Sequence, residues 1–175
     1  MRDVKKLVLA AFFLALGLVL PFLTGQIPEI GGMLSPMHIP VLLCGLVCGW
    51  PWGLAVGAVM PFLRHFTFGM PPVNTAITMT FELAAYGLLA GLLYKALAKT
   101  PGNLYVSLIL SMLGGRIVWG VASYLLYMAQ GNAFTLQLFM AGAFINAWPG
   151  ILLHLAIIPP IVMALKKARL MPAAG

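Results

Sequence analysis

Carboxylates are the scarcest functional groups in this sequence: Asp3, Glu29 and Glu82 are all it has. General acid–base hydrolysis needs a positioned acid and base, and a metal site needs clustered donors. Three acids so far apart in the chain offer neither. The histidines, His38, His65 and His154, have no H-x-x-x-H spacing and no acidic neighbour, so no metal set is expected. The G-x-S-x-G elbow, the H-E-x-x-H helix and the P-loop are also missing. These absences exclude a hydrolase or an ATPase. The chain reads as a non-enzyme without a cofactor. Cysteine is limited to Cys44 and Cys48, one helical turn apart in an apolar run. That spacing builds no disulfide framework, and both read as small buried apolar residues.

Charge is scarce as well. Charged residues make up 7% of the 175, against about 25% in a typical soluble domain. That is too little polar side chain to coat a globule. What is present instead is apolar: 62% of residues are hydrophobic, and the surface they imply is solvated by lipid. The net charge of +7 does not point to nucleic acid, because the basic residues form no stripe along a helix. They fall in three clusters at the ends of apolar runs: Arg2, Lys5 and Lys6; Lys95 and Lys99; Lys166, Lys167 and Arg169. Such clusters are topology signals.

The apolar runs cover 7–23, 39–63, 76–93, 104–128 and 136–165. A basic start followed by an apolar stretch could be a signal peptide, but "PFLTGQIPEI" follows the first run where a small-residue cleavage site would stand. It is expected to be a retained helix. The second run is interrupted by "GWPWG" (49–53), which makes it either one kinked span or two short ones. Positive charge decides between them. Five spans would place the Lys95–Lys99 and C-terminal clusters outside. Six spans place all three clusters inside and leave only Arg64 in an outer loop. The prediction is an all-α integral membrane protein: a single domain (1–175) of six transmembrane helices with both termini cytoplasmic. Ser35 is expected to cap a helix beginning at Pro36, and Pro51 to open the next. Those two helices come out at about 14–16 residues, short for a span. The predicted outer loops (24–38, 64–75 and 129–135) are rich in Gly, Pro and aromatics, which suggests capture of something from outside.

Charges within spans cost several kcal/mol and usually face a cavity or each other. Glu82 in the fourth predicted helix and Arg116 in the fifth are the two clear cases, at depths that allow them to meet. They can form a structural ion pair, or Arg116 can line a pocket and hold a ligand's acid or carbonyl group; the two roles are compatible. Trp119 and Ser123 share a helix face with Arg116, and Tyr86 follows Glu82 by one turn. Asn146, before the expected Pro149 kink, needs a polar partner in lipid. His38, Arg64 and Asn74 stand near the predicted outer mouth. The candidate substrate-binding residues are thus Arg116, Glu82, Asn146, Trp119, Ser123, Tyr86, His38, Arg64 and Asn74.

Three stretches carry a resemblance: "LAAFFLALGLVLP" (9–21), "MHIPVLLCGLVCG" (37–49) and "WGLAVGAVMPFLRHFTFG" (52–69). In order and spacing they resemble the first three helices of the substrate-binding S components of energy-coupling factor (ECF) transporters, which import vitamins into bacteria. The resemblance extends over nearly the whole chain. It implies a bacterial cytoplasmic-membrane protein that captures a small water-soluble vitamin or precursor. It also implies two kinds of partner, a transmembrane T component and two cytoplasmic ABC-type ATPases. The family's Ala-x-x-x-Ala pattern, which contacts the T component, is matched by Ala11 and Ala15, and small residues four apart do let helices approach closely. Two other readings remain open: a self-sufficient carrier coupled to protons through Glu82, and a non-transporting membrane assembly factor.

Overall fold

The computed structural model describes residues 2–24 and 27–171. Gly25 and Gln26 of the first predicted outer loop, and both chain ends (Met1 and 172–175), lie outside the described residues. All regular structure among the described residues is helical. Helix α1 (Arg2–Val19) continues into a 3-10 turn, Leu20–Thr24. Then come α2 (Pro28–Leu34), α3 (His38–Cys48), α4 (Trp50–Phe68), α5 (Val73–Ala96) and α6 (Pro101–Ala129). Helix α7 (Leu136–Met140) runs into a π-helical segment, Ala141–Ile145, and α8 (Trp148–Lys167) closes the chain. Four segments are long and apolar enough to cross a membrane: Asp3–Leu23, Val73–Ala96, Pro101–Ala129 and Leu136–Lys167.

The interrupted second run forms two helices. Gly49 adopts φ 99°, a conformation that a side chain would strain, and Trp50 and Pro51 open α4. The chain doubles back there, which brings Gly45 and Gly53 together, with Gly87 of α5 against both. A Cβ on Gly53 or on Gly87 would run into the other's backbone. Backbone-to-backbone contact of this kind is how helices pack where lipid supplies no hydrophobic drive.

Helix α3 is the core. Ten of its eleven residues are buried, and its apolar side chains point in every direction, as in a helix enclosed on all sides. Helices α1, α4, α5 and α8 surround it. Cys44 and Cys48 are buried there as free thiols. Helix α6 packs on α5 along a small and polar stripe that includes Ser107, Ser111, Gly115 and Ser123. Ser107 Oγ donates to the Asn103 carbonyl at 2.8 Å and Ser111 Oγ to that of Leu108 at 2.8 Å. The opposite face, with Leu110, Leu113, Ile117 and Val121, is exposed. Of the four long segments α1 is the least covered, and Ala11 and Ala15 both lie on its exposed side.

Three local expectations are corrected. Helix α3 starts at His38 rather than Pro36, because Ser35 takes a left-handed conformation (φ 46°) that ends α2. The two short helices are unequal, with 11 and 19 residues rather than 14–16 each, because α3 starts two residues late and α4 continues to Phe68, into the predicted outer loop 64–75. The first predicted outer loop contains a helix of its own, α2.

Candidate functional site

A cavity of about 380 Å³ opens at one end of the bundle, where α1 and α4 end and α3 and α5 begin. Its wall is mostly apolar and includes Pro21, Ile27, Met37, Met70, Pro71 and Met79. Polar chemistry is concentrated in Glu82, Arg116, His38 and Arg64.

Glu82 is the centre of this group. Its carboxylate is buried, and Oε1 accepts a hydrogen bond from Arg116 Nη1 at 2.8 Å. His38 Nε2 lies 3.3 Å from the same oxygen but makes no hydrogen bond to it. Arg116 Nε and His38 Nδ1 are buried and have no hydrogen-bond partner among the described residues. The close approach of α5 and α6 is made possible by Gly114 and Gly115, which face Leu89 and the Tyr86 ring. Those glycines accommodate a neighbouring helix, not a ligand. His38 is held by rings on both sides: Tyr86 edge-on at 5.1 Å and His154 stacked at 5.9 Å. His154 Nε2 in turn lies 3.3 Å from the Ser35 carbonyl oxygen. An aromatic cage thus sets the orientation of the imidazole that faces Glu82.

Arg64 is held differently. Its side chain is 2% exposed; Nη1 donates to the carbonyl of Leu18, near the end of α1. The guanidinium carbon lies 5.0 Å from the Phe22 ring centre and 5.3 Å from that of Phe68, and those rings meet edge to face. The next residue, His65, pairs through Nδ1 with the Pro71 carbonyl at 2.8 Å, which ties the end of α4 to the following loop. Trp119 closes another side. Its indole stacks on Phe139 at 6.2 Å and lies over Gly142, where a Cβ would collide with the ring.

Five of the nine candidates therefore meet at this cavity: Arg116, Glu82, Trp119, His38 and Arg64. Four do not line it. Tyr86 is buried with its ring edge-on to His38, and Ser123 is buried on α6. Asn74 is exposed in the first turn of α5. Asn146 is exposed at the end of the π-helical segment, where its backbone N–H bonds the Ala141 carbonyl. The regular helix expected through 136–165 is interrupted there by the π-helical segment and a turn at Asn146 and Ala147. Met37, Met79, Thr75 and the prolines after Met70 line the cavity without having been singled out from the sequence. None of these residue types signals a site in an apolar chain. Among the described residues, no group of acidic, histidine and cysteine side chains could hold a metal ion.

A second feature lies at the other end of the bundle. Two adjoining cavities there are lined by Lys6, Lys95, Lys99, Lys166 and Lys167, contributed by the start of α1, the end of α5 and beyond, and the end of α8. The lysines and the cavity around Glu82 thus occupy opposite ends.

The family described as "ECF transporter, substrate-specific component" matches residues 5–162, and the chain belongs to that family. It is a transport subunit with membrane-capable helices. No curated protein and no solved structure gives a significant match.

Proposed function

We propose that this substrate-specific component captures a small water-soluble vitamin or precursor from outside the cell, in the cavity lined by the turn after α1, by α2 to α6 and by the π-helical segment. The observation that carries this reading is the set of unpartnered polar atoms among the described residues, Arg116 Nε and both ring nitrogens of His38, buried in the wall of a mostly apolar cavity. Ligand sites have this form, with a mostly apolar wall and a few convergent polar groups, and volumes of roughly 300–1,000 Å³. Leaving buried donors unmade costs about 1–3 kcal/mol each, and a ligand would recover that.

The topology that suits this role has six spans: α1, α3, α4, α5, α6 and the α7–α8 segment. The lysine-lined end faces the cytoplasm, in keeping with the positive-inside rule, and the cavity faces out. Import then needs a T component and two cytoplasmic ATPases, since the sequence has no P-loop. The exposed Ala11 and Ala15 on α1 suit docking of the T component. Proton coupling through Glu82 is disfavoured by its engagement with both Arg116 and His38. The test is reconstitution. The purified chain should bind ligand in detergent but support no uptake in liposomes until a T component and ATPases are added. Proton-driven uptake by the chain alone overturns the proposal.

A further inference from the structure

If the cavity is the capture site, its charge balance restricts what it takes. Three charged side chains line it: Glu82, Arg116 and Arg64. Arg116 already has its counter-ion in Glu82 at 2.8 Å. Arg64 has none. It is as little exposed as Glu82, though it stands nearer the end of the bundle, and among the described residues no carboxylate lies within ion-pair distance of it. Among the described residues its compensation consists of one carbonyl and two phenyl faces. A guanidinium over an aromatic ring gains only about 0.5–2 kcal/mol. A buried charge ordinarily requires a full partner. Among the described arginines and carboxylates of the wall, Arg64 is thus the one charge without a counter-ion.

We propose that the ligand is a monoanion with an apolar body, whose carboxylate pairs with Arg64 while a neutral hydrogen-bonding end meets Arg116, Glu82 and His38. This assigns the anion to a different arginine from the one whose position deep in a span draws attention first. The Arg116–Glu82 pair carries no net charge. Its free Nε–H and the His38 Nδ1 suit an amide, hydroxyl or ring carbonyl rather than a second acid. Arg64 can offer a carboxylate two parallel donors, which Lys cannot. Between the two polar ends the apolar wall of Met37, Met70 and Met79 suits a flexible aliphatic or thioether body.

The test uses matched acid and neutral twins: pantothenate and panthenol, biotin and biotinamide, lipoate and lipoamide, nicotinate and nicotinamide. Each is titrated against the full purified chain, with thermal stabilisation and calorimetry as readouts. At least one acid is expected to bind at least tenfold more tightly than its neutral twin. Arg64→Gln should remove that preference, lowering acid affinity by about tenfold to 150-fold and leaving the neutral twin within a few-fold. Arg64→Lys should retain part of the preference. If Arg64→Gln does not fold, the twin comparison on the unaltered chain decides. A neutral twin that binds as well as its acid overturns the charge assignment and leaves the capture reading standing. Binding of no compound in either set overturns both. An acid preference that survives Arg64→Gln but is lost in Arg116→Lys moves the anion to Arg116 and overturns the assignment.

Discussion

Glu82 holds the one buried negative charge among the described residues, and two basic side chains converge on a single oxygen of it. Removing one member of a buried ion pair costs far more than the pair contributes, because the remaining charge has no partner. Glu82→Gln should therefore lower unfolding stability by about 3–5 kcal/mol, measured as chemical or thermal denaturation in detergent. The double variant Glu82→Gln/Arg116→Met should lose less than the sum of its single variants, since neither charge is then stranded. Arg116→Lys keeps the charge and loses the fork, so ligand affinity should fall about tenfold to 150-fold with the protein still folded. A loss of stability with unchanged affinity would make Arg116 a strut alone. Sequence led to this pair because a charge inside an apolar run is conspicuous. It did not lead to the cage around His38, because the stacking of His154 depends on the crossing of α3 and α8, which no local pattern encodes.

At the scale of elements, the bundle depends on close packing of α3, α4 and α5. Gly87 meets the Gly53 backbone directly, so one added methyl group has no side chain to push aside. Gly87→Ala should force α4 and α5 apart and cost about 1–3 kcal/mol, as overpacking does. Gly102→Ala is the control. Nothing stands within 4 Å of a Cβ there, and it lies in the first turn of α6, so its melting temperature should be unchanged or slightly higher. The helices themselves were legible from apolar runs, and the break at "GWPWG" from its Gly and Pro. The boundaries of α2 and the π turn were not. Segment 28–34 reads as a loop by its glycines and proline, and a π turn differs from an α turn only in which carbonyl each N–H finds.

For the whole molecule, the proposed topology puts the lysine-lined end in the cytoplasm and the cavity outside, at opposite ends of the bundle. Single cysteines at Gly31 and Pro72 should react with an impermeant thiol reagent on intact cells, and one at Gly102 only after permeabilisation. Cys44 and Cys48 are buried and should contribute little background. Labelling at Gly102 from outside would sink the six-span topology. Leu in place of both Ala11 and Ala15 adds bulk to the exposed side of α1, away from the cavity. It should abolish ATP-driven uptake while ligand affinity of the purified subunit stays within about twofold of the parent, since the added bulk touches no cavity residue. Equal loss of both would deny the division between capture and docking. The enclosure of α3 has a consequence for biosynthesis. Its 11 residues extend about 16 Å, roughly half the hydrocarbon thickness, so the newly made segment cannot commit to the bilayer by itself. In the proposed six-span topology it would enter together with α4, as a hairpin closed at Gly49. The centre of the finished molecule is thus the part that a translocating ribosome cannot deliver until the chain beyond it has been made.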